Sequence, residues 1–512
     1  MIRSFLTVSS GTLASRLLGF VRDSVIAALL GAGPVADAFL AAFQLVNVVR
    51  RLLSEGGLNA ALVPAWLRVR DRDGETAARA FAGRVLGTVS AAVIAAALVL
   101  GVLMPLVITA IAPGFIGRET LPFAVNDARL MLPYLAFAGP LTVMMALLNA
   151  QGRFALTAFS PLLFNIALIA VMTVLLVRRQ DPIQAASVMA ATIGVAGFLQ
   201  LSMLALRSGK VASPLRIAVD QEMRGFLGRA VPGMIASSAP QWLVVAGAVI
   251  ASTSPSAVSW LYFANRLLEL PLGIVGVAMG TVLVPEMTRA VRGGEHTAIA
   301  HAESRGLELA VGLAFPAALG LMVLSAPITR VLFERGAFTA EDTAATASAL
   351  IWLTLALPAH VLVKALSPAF FAREDTLTPL LATLKAIVVA IATAFLLGHY
   401  FGANGIAAGI ALGAWSNAFS LIRKGAATFG FSIDADARRR LPRILAAAAA
   451  MGVILWLAKD ALPAAGAHGF VQAISLLLLI AVGIAAYGLF LQLFGVIGWR
   501  ETLNAIRQKR PA

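Results

Sequence analysis

The sequence predicts an all-α polytopic membrane protein of about 14 transmembrane helices, arranged as two six-helix lobes and a C-terminal helix pair. Three observations predict it. The chain has 512 residues, of which 60% are hydrophobic and only 13% charged, whereas soluble domains are roughly 45–50% apolar. Apolar runs of about 20 residues recur along the whole length, each long enough to cross a ~30 Å hydrocarbon core as a helix. The ~10-residue alternating segments of a transmembrane β-barrel do not occur.

The spans follow in order from the apolar runs and the charges that bound them. Span 1 (4–30) opens after Arg3, and span 2 (35–56) follows the Gly31-Ala-Gly33-Pro34 break. Span 3 (82–111) comes after the charged stretch Arg68–Arg79, and Arg118 and Arg129 precede or open span 4 (128–150). Arg153 separates it from span 5 (155–177), and Arg178-Arg179 separates that from span 6 (184–206). The basic connection Arg207–Arg224 leads to spans 7 (226–252) and 8 (258–285), and Arg289–Arg305 leads to span 9 (305–332). Arg335 precedes span 10 (344–370), and Arg373 precedes spans 11 (378–399) and 12 (404–422). The long basic connection Arg423–Arg443 introduces span 13 (441–458), and Lys459 separates it from span 14 (470–494).

Charge gives the orientation. Loops on one side carry most of the arginines, including Arg438-Arg439-Arg440 and the tail Arg500–Arg510, while the other side holds only Arg118, Arg129, Arg178, Arg179, Arg330, Arg335 and Lys459. By the positive-inside rule both termini are cytoplasmic, which needs an even number of spans. The formal charge of +15 is therefore topology signal, with some attraction to anionic membrane lipid, and no nucleic-acid partner is implied. The first span lacks the small-residue exit of a cleavable signal and is expected to be retained.

The chain contains no cysteine, which excludes disulfides, thiolate metal sites and cysteine nucleophiles. Its five histidines are scattered, so no histidine metal cluster is expected either. Two segments six spans apart resemble each other: Asn149-Ala-Gln-Gly-Arg153 leading to Pro161-Leu-Leu, and Ala369-Phe-Phe-Ala-Arg373 leading to Pro379-Leu-Leu. An even offset preserves orientation, so the pair predicts a parallel duplication of spans 1–6 and 7–12, with 13 and 14 appended. The expected domains are 1–210, 211–425 and 426–512. Prolines 140, 161, 232, 240, 271, 316 and 358 fall inside predicted spans, where they would kink helices.

The candidate site is a set of charges at membrane depth. Arg16, Arg22 and Asp23 lie in span 1; Asp37, Arg50, Arg51 and Glu55 in span 2; Arg266 and Glu269 in span 8. A charge at mid-bilayer costs roughly 2.5–3.5 kcal/mol on insertion scales, so such residues normally face a bundle interior or a wet cavity. Arg16 and Asp23 are seven apart and share a helix face, while Arg51–Glu55 (i,i+4) and Arg266–Glu269 (i,i+3) are spaced to pair. Guanidinium stays charged and grips phosphate bidentately, so these arginines suit an anionic cargo such as a pyrophosphate head group, with the acids holding each fork in place. The bland alternative is that the pairs neutralise one another and fix helix register. Lys364 and Lys385 are weaker candidates that could snorkel to an interface, and Arg84 reads as a snorkelling anchor.

The runs Ala14-Ser-Arg16-Leu-Leu-Gly19-Phe-Val-Arg22-Asp23, Gly31-Ala-Gly33-Pro-Val-Ala-Asp37-Ala-Phe39, Asn47-Val-Val-Arg50-Arg51-Leu-Leu-Ser-Glu55-Gly56, Ala264-Asn-Arg266-Leu-Leu-Glu269-Leu-Pro271 and Leu332-Phe-Glu-Arg335-Gly-Ala-Phe338-Thr resemble the MurJ (MviN) family of bacterial lipid II flippases. That family belongs to the multidrug/oligosaccharidyl-lipid/polysaccharide exporter superfamily. The resemblance runs from span 1 to span 14. It implies transport of undecaprenyl-pyrophosphoryl-disaccharide-pentapeptide from the inner to the outer leaflet by alternating access, in the service of peptidoglycan synthesis and cell shape. Carried over motif by motif, the cavity charges are Arg16, Arg22, Asp23, Asp37, Arg50, Arg51, Glu55, Arg266 and Glu269, with Lys364 fitting a family lysine less closely. The sequence departs from the family at Asn265, where Asp is expected, so a negative charge there is dispensable or replaced.

The resulting expectation is a transporter of the bacterial inner membrane, not an enzyme, with lipid II, membrane lipids and cell-wall synthesis machinery as partners. It needs no cofactor. No Walker motif is present, so a coupling ion or the membrane potential, of unspecified identity, or downstream consumption of cargo must supply the energy. The rivals are an exporter of another polyprenyl-linked sugar or of drugs, a membrane enzyme acting on lipid pyrophosphate, and a structural scaffold. A cationic-drug exporter needs a net acidic cavity, an enzyme needs clustered carboxylates or a positioned nucleophile, and a scaffold needs no buried charge.

Overall fold

The computed structural model describes residues 2–54, 57–209, 212–218, 220–237, 239–279, 283, 286–287, 289–290, 296–373, 375–430, 434–461 and 469–496. Among these every regular element is a helix. The chain forms two compact units, one of Met1–Ser259 with Arg335–Thr339, the other of Trp260–Glu334 with Ala340–Ala512.

The first unit contains α1 (Ile2–Leu30), α2 (Pro34–Ser54), α3 (Gly57–Ile111), α4 (Thr120–Ala150), α5 (Phe154–Val177), α6 (Pro182–Ser208), α7 (Gln221–Ser237) and α8 (Ala239–Ala251). α4 is the central element and packs against α2, α3 and α6, while α1 lies along α5. Span 3 extends further than its apolar run predicts. Residues 57–73, which lie between predicted spans 2 and 3 and include part of the charged stretch Arg68–Arg79, are helical up to Gly74, whose φ of 86° breaks the axis. The cause is amphipathic: Leu58, Leu62, Ala65, Trp66 and Val69 recur at helical spacing and share a core with Phe81, Val85 and Phe226.

The connection to α7 is also ordered as a strap on α3. Ser213 N–H donates to the Arg79 carbonyl at 3.3 Å, and Ala218 N–H donates to Thr88 Oγ1 at 3.0 Å. The guanidinium of Arg84 pairs with Glu222 at 2.5 Å and Asp220 at 3.6 Å beside this strap. At the other end of the unit, residues 335–339 dock on the end of α1, where Ala337 N–H donates to the Ala28 carbonyl at 2.8 Å. Gly31 and Gly336 both hold positive φ there, and a Cβ on Gly336 would stand 2.3 Å from the Ala28 carbonyl oxygen. This contact gives the run around Arg335-Gly-Ala-Phe338 its physical reason.

The second unit contains α9 (Ala257–Ala278, from Trp260 on), α10 (His296–Val323), α11 (Ser325–Phe333), α12 (Ala340–Thr354), α13 (Ala356–Phe371), α14 (Leu377–Phe429), α15 (Ala435–Ala458) and α16 (Gly469–Leu493). Spans 9 and 10 each fold as two helices, broken at Leu324 and Leu355. Pro327 and Pro358 lie in the first turn of the helix that follows each break, where a missing N–H costs nothing. Spans 11 and 12 are the two halves of α14, which reverses at Gly402 with φ 55°. Gly405, Gly409 and Gly413, four residues apart, bring the halves together. A Cβ on Gly409 would lie 2.3 Å from Ala394 N, and one on Gly413 2.5 Å from Ala390 Cβ. Small residues at this spacing allow the close helix approach on which packing in lipid depends. α15 packs on α10 and α16, and Tyr487 O–H donates to the Gly312 carbonyl at 2.8 Å.

Among the described residues nine helical stretches are long and apolar enough to cross a membrane. α2 is not one of them, since it carries Asp37, Arg50 and Arg51 within its 21 residues. The repeated Arg motif has matching roles. Arg153, between α4 and α5, donates to the Ser208 carbonyl at 2.8 Å and the Arg207 carbonyl at 2.5 Å, closing the end of α6. Arg373, between α13 and α14, stacks 3.8 Å over Phe429 at the end of α14 and pairs with buried Glu303 at 3.4 Å. In both cases an arginine after the fourth span of a set ties down the end of the sixth.

Candidate functional site

The charges of α1 and α2 occupy different environments. Arg22 is 9% exposed and Asp23 fully buried, although the helix wheel separates their Cβ directions by about 100°. The guanidinium folds back to bridge the gap: Nε and Nη2 donate to Asp23 Oδ1 at 2.9 and 2.7 Å. Nη1 donates to Asn165 Oδ1 on α5 at 3.1 Å, and Asn165 Nδ2 in turn donates to the Ser15 carbonyl at 3.2 Å. The rings of Phe43 and Phe164 lie 5.0 and 6.0 Å from the guanidinium carbon. A charge-assisted pair in so apolar a setting is strong because water does not screen it. These bonds engage three of the five N–H donors of the guanidinium.

Arg16 and Asp23 do not share surroundings, since Arg16 is exposed two turns earlier on α1. Arg50 and Arg51 are half-buried at the end of α2, with Arg50 Nε donating to Asn47 Oδ1 at 3.4 Å. Glu55 lies outside the described residues, and with it the expected Arg51–Glu55 pair.

Asp37, 3% exposed, serves a helix start. Its Oδ1 accepts from Ser259 N–H at 2.9 Å and from Ser259 Oγ at 2.5 Å. Ser259 is in the first turn of α9, where backbone N–H groups have no intrahelical partner and carry the positive end of the helix dipole. Asp37 therefore caps that turn from another helix. Asp37→Ala is expected to lower the thermal stability of the purified protein by about 1–3 kcal/mol, the cost of leaving buried donors unsatisfied. Asp37→Asn keeps an acceptor oxygen and is expected to lose less than half of that. Equal melting temperatures for the wild type and Asp37→Ala would refute the capping role.

Arg266 and Glu269 on α9 pair as their spacing predicts, Nη1 to Oε2 at 2.8 Å, with both side chains partly exposed. Asn265 Nδ2 approaches the other carboxylate oxygen at 3.5 Å, so Glu269 faces a second donor where an acid at 265 would have repelled it. Lys364 is exposed on α13, one turn after His360. Asn165 and Ser259 were not among the residues singled out from sequence. An asparagine in the middle of the apolar span 5 was the available signal for the first; a serine at a helix start gives none for the second.

The family described as "Lipid II flippase MurJ" matches residues 26–477 of this chain. The probable lipid II flippase MurJ of Rhizobium tropici is 35% identical over 523 residues, spanning 100% of this chain and 98% of that protein. A solved structure of lipid II flippase MurJ in an inward closed conformation is similar with a TM-score of 0.80 at 21% identity, covering 97% of this chain and 100% of that one. An inward-facing MATE family multidrug resistance transporter of the MOP superfamily gives a TM-score of 0.64 at 16% identity over 84% of this chain and 95% of its own, a likeness of fold.

Proposed function

This chain belongs to the lipid II flippase MurJ family, and we propose that it moves lipid II from the inner to the outer leaflet of the bacterial cytoplasmic membrane by alternating access. The observation that supports this reading best is 35% identity to a probable lipid II flippase over 100% of this chain and 98% of that protein. The proposed topology has fourteen crossings with both termini cytoplasmic, built from lobes 1–210 and 211–425 and the helix pair 426–512.

Chemistry assigns the parts. The cargo's pyrophosphate is a fixed anion, and a central cavity lined by Arg16, Arg22, Arg50, Arg51, Arg266 and Lys364 offers it charge that no pH change in the cell removes from the arginines. Asp23, Glu55 and Glu269 hold these cations in place, and Asp37 fixes the start of the eighth span beside them. Arg22 is proposed to grip phosphate through its outer Nη edge while Asp23 and Asn165 hold the rest of the fork rigid, a preorganisation that lowers the entropy cost of binding. The polyprenyl tail stays in hydrocarbon while the head group crosses. Carrying net positive charge across the membrane would couple transport to the potential at ~2.3 kcal/mol per charge per 100 mV. Cell-wall synthesis enzymes that consume the product are the proposed functional partners.

Depleting the protein from its host is expected to make lipid II accumulate in the inner leaflet while its synthesis continues. Unchanged leaflet distribution after depletion, in a host with no second flippase, would overturn the proposal.

A further inference from the structure

The hairpin of α14 holds a groove of about 710 Å³ at the end remote from Gly402, lined among others by Leu381, Lys385, Phe419, Arg423 and Lys424. It lies wholly within the second unit. Its walls are apolar and outward-facing, with Leu381 55% and Phe419 61% exposed and Val388 beyond them 66% exposed. Such exposure on a membrane helix marks a lipid-facing surface. Lys385 stands eight residues past Leu377, about 12 Å along the axis at 1.5 Å per residue, where a cation is costly without a partner. Its Nζ is turned across the hairpin to Ser420 Oγ at 3.2 Å. Arg423 and Lys424 close the same end, and among the described residues that line the groove none is acidic.

Three cations at one end of an apolar channel on a lipid-facing surface match an amphiphile with an anionic head. A soluble anion would leave Leu381 and Phe419 without contacts, and a zwitterionic lipid would bring its own cation among three others. We propose that this groove binds an anionic phospholipid of the phosphatidylglycerol class, its phosphate held by Lys385, Arg423 and Lys424 and its acyl chains lying along Leu381 and Phe419. Basic pockets between membrane helices bind anionic headgroups by this combination of charge and apolar wall. On the topology proposed above the site faces the cytoplasmic leaflet, but binding there does not depend on lipid II transport.

The test is native mass spectrometry of the purified full chain titrated with dioleoyl phosphatidylglycerol or dioleoyl phosphatidylcholine. Phosphatidylglycerol is expected to bind tightly and phosphatidylcholine weakly. The triple variant Lys385→Gln/Arg423→Gln/Lys424→Gln is expected to weaken phosphatidylglycerol binding by of order 100-fold, from about 1 kcal/mol per basic residue. Arg438→Gln/Arg439→Gln/Arg440→Gln removes the same charge from α15 and is expected to change the affinity less than twofold. Lys385→Met alone, apolar and suited to a lipid-facing helix, should weaken binding about fivefold and serves if the triple variant does not fold. Equal loss in the groove and α15 triple variants, or wild-type affinity in Lys385→Met, would overturn the proposal. So would displacement of the lipid by millimolar inorganic phosphate, which would make the site one for soluble anions.

Discussion

Arg22→Ala is expected to abolish lipid II transport and to destabilise the protein at once. The side chain is a partner of a fully buried carboxylate, and removing one member of such a pair costs about 3–5 kcal/mol because the buried charge of Asp23 loses this compensation. Loss of activity in this variant alone would therefore not identify a phosphate ligand. Arg22→Lys separates the two roles. An ammonium still neutralises Asp23, so the melting temperature should return to near the wild-type value, yet it cannot present a bidentate fork and transport should recover only in part. The double variant Arg22→Ala/Asp23→Asn, which removes the buried negative charge as well, should fold and remain inactive. Wild-type transport by either of these folded variants would remove Arg22 from the substrate site.

Gly409→Leu is expected to prevent folding of the second unit. The atoms a side chain would meet at Gly409 are the backbone N and Cα of Ala394 at 2.3 and 2.4 Å, and backbone cannot rotate away. Even Gly409→Ala forces the halves of α14 apart, and overpacking of this kind costs about 1–3 kcal/mol or more. Gly488→Ala on α16 is the matched control, because a Cβ there meets nothing within 4 Å. Comparable thermal stability of Gly409→Ala and Gly488→Ala, measured on purified protein, would contradict the close-packed hairpin.

Much of the fold could be read from the sequence because a bilayer imposes a simple rule: the backbone must satisfy itself within each apolar run, so long apolar runs become helices. The predicted span positions coincide with helices throughout the described residues. Reading failed where the rule does not apply. The helix 57–73 is amphipathic, and the charges from Arg68 on hid its helical core face. The strap 212–218 is held by backbone contacts to Gly83 and Gly87 on α3, which no hydropathy pattern encodes. The two breaks within spans 9 and 10 were foreshadowed by prolines, but only Pro358 was among those singled out.

The candidate site was partly legible for the same reason. A charge within an apolar run announces itself, so Arg22, Asp23, Asp37, Arg266 and Glu269 could be named from composition alone. Their partners could not. Spacing predicts which side chains share a face of one helix, and it found Arg266–Glu269; it placed Asp23 with Arg16, whereas a guanidinium long enough to fold back took Arg22 to Asp23 instead. Asp37 finds Ser259 across 222 residues of sequence, a distance over which no local pattern carries information.

The most direct measurement of the central claim is transport by the purified protein alone. Vesicles loaded with fluorescent lipid II confined to the inner leaflet, with and without the protein, would be treated with a membrane-impermeant quencher. The account predicts that wild-type protein exposes lipid II to the quencher while Arg22→Ala/Asp23→Asn protein of equal abundance and fold does not. Quenching in wild-type vesicles no faster than in protein-free vesicles, under an imposed membrane potential of either sign and with sodium or proton gradients in place, would contradict it.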